Sequence, residues 1–293
     1  MKIFITGGTG FVGQALCQQL SEHKLTLFVR DINKARDLLG PRVHLINDWT
    51  SVTQSHDVVI NLAGESIAGE RWSDARKETL IDSRINTTHE LVNRFDTLQP
   101  QLLLSASAVG YYGPQGDHTV TENTPPVDSF SYDLCQRWEA EAMRAAPDTR
   151  VAIMRFGIIL DRNGGALEKM LLPYRLGLGG SMGSGKQWMS WIHRYDVVHL
   201  IEQMINNQAE GIYNFTAPHP VTNKDFALTL AGVLNRPAVL KTPGFALKLL
   251  LGEMAEELLL TGQKVMPERL IAEGYTFKYP MLAPALKAIL NAH

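Results

Sequence analysis

Short apolar runs alternate with helical patterns along the first half of the chain. The apolar, partly β-branched runs have the length of strands and cover residues 2–6, 25–29, 43–46, 58–62, 101–105 and 150–155. Between them, apolar positions recur three and four residues apart over 14–20, 33–39, about 72–95 and 132–145. This alternation predicts an α/β fold with a doubly wound parallel sheet.

The pattern changes near Gly164, where glycines become frequent. They stand at Gly164, Gly165, Gly177, Gly179, Gly180, Gly183 and Gly185, in a segment that also holds Met182, Trp188 and Trp191. Flexible backbone and aromatic side chains suit a lid over a substrate. We therefore predict a cofactor-binding domain over 1–163 and a smaller C-terminal α/β substrate domain over 164–293. A strand within 211–216 is expected to return to the main sheet.

The remainder, 224–291, is predicted to form helices separated by prolines. Its most apolar stretch, 245–260, is interrupted by Lys248, Glu253, Glu256 and Glu257. These charges predict one amphipathic helix rather than a membrane span. In the same region of the chain, Asp196 is expected to cap a helix over 197–206, and His193 to have a structural role.

Composition restricts the functional class. The 293 residues are 45% hydrophobic and 20% charged, with a net charge of −2 and two cysteines, Cys17 and Cys135. No basic stripe suggests nucleic acid, no ligand spacing suggests a metal, and two cysteines do not form a disulfide framework. We expect a cytoplasmic protein with no cleaved leader, no membrane or nucleic-acid partner, and a small-molecule substrate. An oligomer is compatible with the sequence.

The opening MKIFITGGTGFVG reads as strand, glycine turn and helix. Gly7 permits unusual backbone angles, Gly10 lets a pyrophosphate approach the backbone, and Gly13 lets the helix pack on the strand. The N–H groups at the helix start then face the anion. The spacing G-x-x-G-x-x-G in this context predicts a dinucleotide site formed by Gly7, Thr9, Gly10, Phe11, Val12 and Gly13.

Arg30 follows the second predicted strand, where NAD-binding folds usually carry an acid for the ribose. A guanidinium can hold a 2′-phosphate through two hydrogen bonds, whereas an acid would repel it. The sequence therefore favours NADP as cofactor. Alternatively, Arg30 is a solvated loop residue and Asp31 binds the ribose.

Two further strand ends carry candidate site residues. Small residues after the fourth strand, Leu62, Ala63 and Gly64, leave room for a cofactor. After the fifth strand, Ser105 is expected beside the cofactor, and Ser107 is a candidate to hydrogen-bond a reacting carbonyl. The alternative is that such a serine only ends a strand.

Several longer strings resemble a known family, the extended short-chain dehydrogenase/reductases, and within it the "epimerase family protein" branch. They are TGGTGFVG, Asn61-Leu-Ala-Gly-Glu-Ser-Ile, Arg71-Trp72, Ser83-Arg84, Ser105-Ala-Ser-Ala-Val-Gly-Tyr-Tyr-Gly, Arg175-Leu-Gly-Leu-Gly-Gly, Trp191-Ile-His-Arg-Tyr-Asp and Gly262-Gln-Lys-Val-Met-Pro. The resemblance covers nearly the whole chain. It implies a Rossmann domain with NADP and a smaller C-terminal domain that shapes the substrate site. It also implies that Glu78, Arg84 and Arg155 lie near the cofactor, the alternative being surface or interdomain salt bridges.

The chain departs from the superfamily at its catalytic Tyr-x-x-x-Lys turn. Tyr132, the candidate acid, is followed four residues later by Gln136, which cannot lower a tyrosine pKa as an ammonium does. In a register one residue earlier, Ser131 pairs with Cys135 and both family residues are missing. Tyr111 and Tyr112 are further candidate acids, for which packing is the alternative.

Two functional classes follow from these observations. The first is an NADP(H)-binding oxidoreductase or epimerase that acts on a small hydroxyl or carbonyl compound, with Ser107 and Tyr132 as catalytic candidates. The second is a dinucleotide-binding sensor or regulatory protein with little or no catalysis, as the missing lysine suggests.

Overall fold

Alternating strands and helices build the first half of the molecule. The structure, a computed structural model, describes residues 1–291. Its strands are β1 (Lys2–Thr6), β2 (Lys24–Phe28), β3 (His44–Ile46), β4 (Val58–Asn61), β5 (Leu102–Ala108), β6 (Thr119–Val120), β7 (Arg150–Phe156), β8 (Ile158–Leu160), β9 (Trp188–Met189), β10 (Trp191–His193), β11 (Gly211–Phe215), β12 (Val221–Thr222) and β13 (Lys264–Val265).

The helices follow the predicted segments in the first half and form most of the second half. They are α1 (Phe11–Gln19), α2 (Ile32–Leu39), α3 (Asp74–Val92), α4 (Phe95–Leu98), α5 (Phe130–Met143), α6 (Gly165–Arg175), α7 (Arg194–Asn206), α8 (Asn223–Leu234), α9 (Gly244–Leu251), α10 (Glu253–Ala255), α11 (Glu268–Ala272) and α12 (Leu282–Asn291). Short 3₁₀ turns cover Trp49–Ser51 and Val109–Tyr112, and a π-helical turn covers Glu256–Leu260.

Seven strands of the described chain form the main sheet, in the order β11-β7-β5-β4-β1-β2-β3. All of its neighbours pair in parallel. The predicted Rossmann-type sheet is confirmed, and so is the return of a late strand, since β11 pairs with β7. The register aligns Asn61 with Ser105 and Ser107 with Arg155. The carboxyl ends of these strands therefore meet at one edge.

Helices cover both faces of this sheet, which explains its continuous apolar strands. On one face, Ile3 and Ile5 of β1 pack in a core that includes Leu16 of α1 and Val197 of α7. On the other face, Phe4 packs in a core that includes helix residues of α3 and α5. The alternation of side chains along β1 thus serves two separate cores.

A second group of elements forms its own core beside the carboxyl edge of the sheet. Leu167 of α6, Phe226 of α8 and Leu286 of α12 are buried together there. Two-stranded pairs, β8 with β10 and β9 with β12, border this core. The substrate-side elements therefore pack around apolar side chains of their own, while α7 and β11 belong to the main sheet layer.

The prediction of one helix over 245–260 is wrong. Gly252 has a φ of +63°, a left-handed conformation that ends α9. The chain then continues through α10 into the π-helical turn. No helix within the described residues is long and apolar enough to cross a membrane.

The predicted cap of α7 is also wrong. The cap is His193, whose Nδ1 accepts the backbone N–H of Tyr195 at 2.9 Å. Burial lowers the pKa of His193 to about 4, so the ring stays neutral and keeps a lone pair for this bond. Asp196 instead accepts the backbone N–H groups of Lys278 and Tyr279 at 2.8 and 3.0 Å. His193 has the structural role predicted for it.

Candidate active site

In the turn after β1, the three glycines of the G-x-x-G-x-x-G spacing serve two different purposes. Gly7 has a φ of +71°, and an added Cβ would lie 2.4 Å from the carbonyl oxygen of Leu62. At Gly13, a Cβ would lie 2.3 Å from the oxygen of Gly7. A Cβ at Gly10 would meet only that oxygen, at 3.1 Å. Gly7 and Gly13 are thus required by packing, whereas an added Cβ at Gly10 would crowd only that one oxygen.

The start of α1 fits an anion. Gly10 caps the helix with ordinary backbone angles, and no side chain of residues 1–291 provides a capping hydrogen bond there. The first turn contains no acid. Its N–H groups, at the positive end of the helix dipole, are therefore available to a ligand such as the pyrophosphate of a dinucleotide. The residues present fit the cofactor that the sequence predicts.

Arg30 lies at the end of β2, 89% exposed, and its guanidinium pairs with the Glu65 carboxylate at 2.6 Å. Asp31 caps α2 by accepting the backbone N–H of Lys34 at 3.0 Å. The alternative in which Asp31 binds a ribose therefore competes with its role as a helix cap. Arg30 has no such structural duty in the fold and lies beside the loop that follows β4.

Arg84 of α3 packs against that loop and hydrogen-bonds to it. Its buried guanidinium donates to the carbonyl oxygen of Glu65 at 2.8 Å. Gly64 packs against the same group, since a Cβ added to Gly64 would lie 3.2 Å from Cζ of Arg84. Burial lowers the pKa of Arg84. Leu62 and Ala63, the first residues of this loop, pack against Gly7. The structure thus places Arg84 with the residues of the predicted cofactor site.

Glu78 does not join them. It lies on the exposed side of α3, six residues from the buried Arg84, and a separation of six turns the two side chains to different faces. The two side chains therefore do not face the same side of α3, and the place of Glu78 near a cofactor stays a prediction.

Ser105 lies inside the sheet layer and not beside the cofactor. It is fully buried, and its hydroxyl accepts a hydrogen bond from the Asn61 amide at 3.3 Å. The same amide donates to Thr88 of α3 at 2.8 Å, while Thr6 donates to the Asn61 oxygen at 2.6 Å. This corrects the prediction for Ser105, because alternate side chains of β5 point toward the layer of α3 and α5 and Ser105 is one of them.

Ser107 follows the same alternation and is also buried. Its hydroxyl donates to Glu139 of α5 at 2.6 Å, and Glu139 accepts two hydrogen bonds from Arg155, each at 2.8 Å. Arg155 is 1% exposed and donates further to Tyr112, whose hydroxyl donates to Asn214 at 2.7 Å. These side chains form one buried, hydrogen-bonded network across β5, α5, β7 and β11.

This network corrects the expectations for Arg155 and Ser107 and agrees with the packing role for Tyr112. Burial alone would lower the pKa of Arg155, but the hydrogen bonds and charge of Glu139 raise it. Arg155 is thus an ion-pair partner in the interior and not a cofactor neighbour. Burial raises the pKa of Tyr112 to about 12, so packing describes it better than acid chemistry. The Ser107 hydroxyl is committed to Glu139 and does not line the cavity described next.

A cavity of about 730 Å³ lies over the carboxyl edge of the sheet. One side is formed by Phe11 of the glycine turn and by the ends of β5 and β7, and the other by segments that include Met182, Trp188 and Gln263. The Phe11 ring packs against Gly164 and Gly165, where α6 begins. The glycine-rich segment thus contacts the cofactor turn and forms a wall of the cavity, as expected for a substrate-side element.

The start of α5 supplies the residues that replace the Tyr-x-x-x-Lys pair. Ser131 and Cys135 line the cavity, whereas Tyr132 packs edge-on against Tyr111, with ring centroids 5.4 Å apart. Gln136 is exposed. The register with Ser131 and Cys135 is therefore the one that faces the cavity, which corrects the choice of Tyr132. Burial raises the pKa of Cys135 to about 11, so its thiol is neutral and does not replace an ammonium.

Sequence reasoning missed Glu257 as a residue of this site. Its carboxylate accepts the backbone N–H groups of Phe130 and Ser131, both at 2.9 Å, and the Ser131 hydroxyl at 2.5 Å. Glu257 comes from the π-helical turn, 126 residues from Ser131. The acidic residues in an apolar segment were the one available signal. No group of acidic, histidine or cysteine residues in the described chain suits a metal ion.

Comparison with known proteins agrees with this geometry. Residues 3–215 match the NAD dependent epimerase/dehydratase family, and residues 242–289 match a domain of unknown function, DUF1731. An Arabidopsis thaliana protein, "Epimerase family protein SDR39U1 homolog, chloroplastic", is 39% identical over 99% of this chain and 87% of its own length.

Two solved structures extend the likeness. The human epimerase family protein SDR39U1, solved with NADPH, has a TM-score of 0.91 and 35% identity, and the match covers 100% of both chains. A nucleoside-diphosphate sugar epimerase from Corynebacterium glutamicum has a TM-score of 0.77 and 29% identity over 99% of this chain and 58% of the other.

Proposed function

We propose, because this chain belongs to the NAD dependent epimerase/dehydratase family, that it is an NADP(H)-dependent oxidoreductase or epimerase acting on a small hydroxyl or carbonyl compound. One observation carries the proposal. The glycine turn, whose helix start has no side-chain capping hydrogen bond, lies directly beside a cavity lined by a hydrogen-bonded serine, Ser131. A nicotinamide bound there would supply or accept hydride. The protein would hold the substrate, exclude water and handle the proton.

NADP(H) is favoured over NAD(H) by Arg30. An exposed ion pair such as Arg30–Glu65 contributes only about 0–1 kcal/mol, so a ligand can displace Glu65 at little cost. A 2′-phosphate would then accept charge-assisted hydrogen bonds from the guanidinium. NADPH in the human SDR39U1 structure supports the same choice.

The proton-handling group in this proposal is the Ser131 hydroxyl. Its hydrogen is donated to Glu257, so its oxygen retains lone pairs that can accept a hydrogen bond from a substrate hydroxyl in the cavity. The Glu257 carboxylate also fixes the backbone of Ser131, which holds the hydroxyl in one orientation. A serine has no ammonium to activate it here, so we expect slow turnover.

Calorimetry with NADPH and NADH tests the cofactor. Arg30→Ser should weaken NADPH binding by about 1.5–3 kcal/mol, the contribution of hydrogen bonds to charged groups, and leave NADH binding nearly unchanged. Arg36→Ser, which removes the same charge from the exposed side of α2, is the matched control and should bind NADPH like the wild type. Equal losses for both cofactors in Arg30→Ser would contradict the assignment.

A second function, a dinucleotide-binding sensor with little catalysis, is favoured by Ser131 and Cys135 in place of tyrosine and lysine. Incubation with NADPH and a panel of carbonyl compounds distinguishes the two. Consumption of NADPH that depends on both the protein and a carbonyl supports the enzyme. Tight NADPH binding without consumption across the panel supports the sensor.

A further inference from the structure

The cavity beside the glycine turn offers little to hold a phosphate. Among its described lining residues, Lys169 is the one cation, and its ammonium donates to the carbonyl oxygen of Ala68 at 2.7 Å. Lys248 pairs with one lining carboxylate, Glu256, at 2.9 Å. Even so, the other carboxylates outnumber Lys169, so the cavity repels anions. The lining carboxylates are Asp128, Glu168, Glu256 and Glu257.

The helix start that borders this cavity is already occupied by the protein itself. Ser129 caps α5 by accepting the backbone N–H of Tyr132 at 3.1 Å. The Glu257 carboxylate accepts the two N–H groups before that of Tyr132 in the chain, those of Phe130 and Ser131. A helix N-terminus is a common place for a ligand phosphate, but here an internal carboxylate fills it.

The remaining walls are largely apolar. They come from the cofactor turn, the strand ends and the substrate-side segments, and include Phe11, Ile159, Met170, Met182, Trp188 and Leu259. The volume of about 730 Å³ lies within the range of small-molecule sites. A neutral ring or chain would replace water at these walls favourably, whereas a diphosphate would lose its hydration and meet one cation, Lys169, among several carboxylates.

We infer that the cavity binds a neutral, largely apolar carbonyl compound or the corresponding alcohol, and not a nucleoside-diphosphate sugar. The inference rests on the proposed function, because it names the substrate class of the same site. Polar contact would be confined to the end of the cavity at Ser131, whose oxygen can accept a hydrogen bond from the hydroxyl of the alcohol.

Calorimetry on the full chain saturated with NADP⁺ tests this inference with three probes. Acetylnaphthalene is neutral, naphthoate has the same ring with a carboxylate, and UDP-glucose is a nucleoside-diphosphate sugar. We expect acetylnaphthalene to bind at least about tenfold more tightly than naphthoate, given the uncompensated charge, and UDP-glucose to give no binding heat. Absence of acetylnaphthalene binding, or equal or tighter binding of either anion, would overturn the inference.

A charge reversal locates the effect. Glu168→Lys, on the exposed part of α6 that lines the cavity, should tighten naphthoate binding about three- to tenfold and leave acetylnaphthalene unchanged. Glu210→Lys makes the same charge change at an exposed residue outside the cavity and should alter neither. An equal effect of both variants would overturn the assignment of the cavity as the probe site.

Binding of the proposed cofactor is tested separately, by titrating NADPH alone into the protein. If NADPH does not bind, the proposed function fails, and the three probes are titrated into the cofactor-free protein. The preference for neutral ligands is then still confirmed or refuted by the same comparison.

Discussion

Alanine at each of two turn glycines should separate cofactor binding from folding. At Gly13, the added Cβ would lie 2.3 Å from the Gly7 oxygen and 2.6 Å from the Gly8 Cα, so backbone must move. Overpacking of this kind costs about 1–3 kcal/mol, and the higher helix propensity of alanine recovers at most about 1 kcal/mol. We expect Gly13→Ala to lower the free energy of unfolding, with any loss of NADPH binding following from the displaced turn.

At Gly10, the same methyl group would meet only the Gly7 oxygen, at 3.1 Å, and the backbone already has a φ of −77°. Loss of glycine at a helix cap costs up to about 1 kcal/mol. The methyl group would, however, occupy the space through which a pyrophosphate approaches. We expect Gly10→Ala to remain folded and to bind NADPH at least about tenfold more weakly, or about 1.4 kcal/mol.

Urea denaturation and NADPH calorimetry on the same preparations measure the two effects. Gly232→Ala is the control, because Gly232 lies in α8 with nothing within 4 Å of an added Cβ. It should raise the free energy of unfolding by about 0.5–1 kcal/mol and leave NADPH binding unchanged. Wild-type NADPH affinity in Gly10→Ala, or wild-type stability in Gly13→Ala, would refute the roles assigned to these two glycines.

Three further outcomes follow from buried groups. The pKa of His193 is about 4 in the folded protein and ordinarily 6.5, so the unfolded form binds the proton first as pH falls. The free energy of unfolding should therefore decline from pH 6.5 toward pH 4, by about 2 kcal/mol near pH 5. His193→Gln should flatten that part of a curve of stability against pH. Glu139→Gln, which leaves Arg155 charged and buried without its partner, should cost about 3–5 kcal/mol in urea denaturation, and a cost below 1 kcal/mol would contradict the network. Ser131→Ala should slow any NADPH-dependent reduction of a carbonyl without weakening NADPH binding. Tyr132→Phe should leave the rate of that reduction unchanged. A slower Tyr132→Phe and an unaffected Ser131→Ala would return Tyr132 to the catalytic role.

Local pattern determined the sheet and its glycine turn. Alternating strand-length and helical periods require a doubly wound sheet, because a strand buried on both faces is apolar throughout and its crossover is a helix. The positions of Gly7, Gly10 and Gly13 depend on contacts within the turn and with the neighbouring strand, so their spacing, placed between a predicted strand and a predicted helix, predicted the turn. Arg30 is predicted as a cofactor contact because the end of a parallel strand places the next residues at the edge where ligands bind.

The tertiary structure decided which side chains face the cavity. Side chains alternate strictly along a strand, but the sequence does not say which of them pack under a helix and which reach the cavity. Ser105 and Ser107 are expected in the site, yet both point into the interior. A shift of one residue on α5 rotates a side chain by about 100°, which is the difference between Tyr132 packing on Tyr111 and Ser131 lining the cavity. Glu257 reaches Ser131 across 126 residues of chain, and only the packing of the C-terminal elements against α5 brings this carboxylate to the start of that helix.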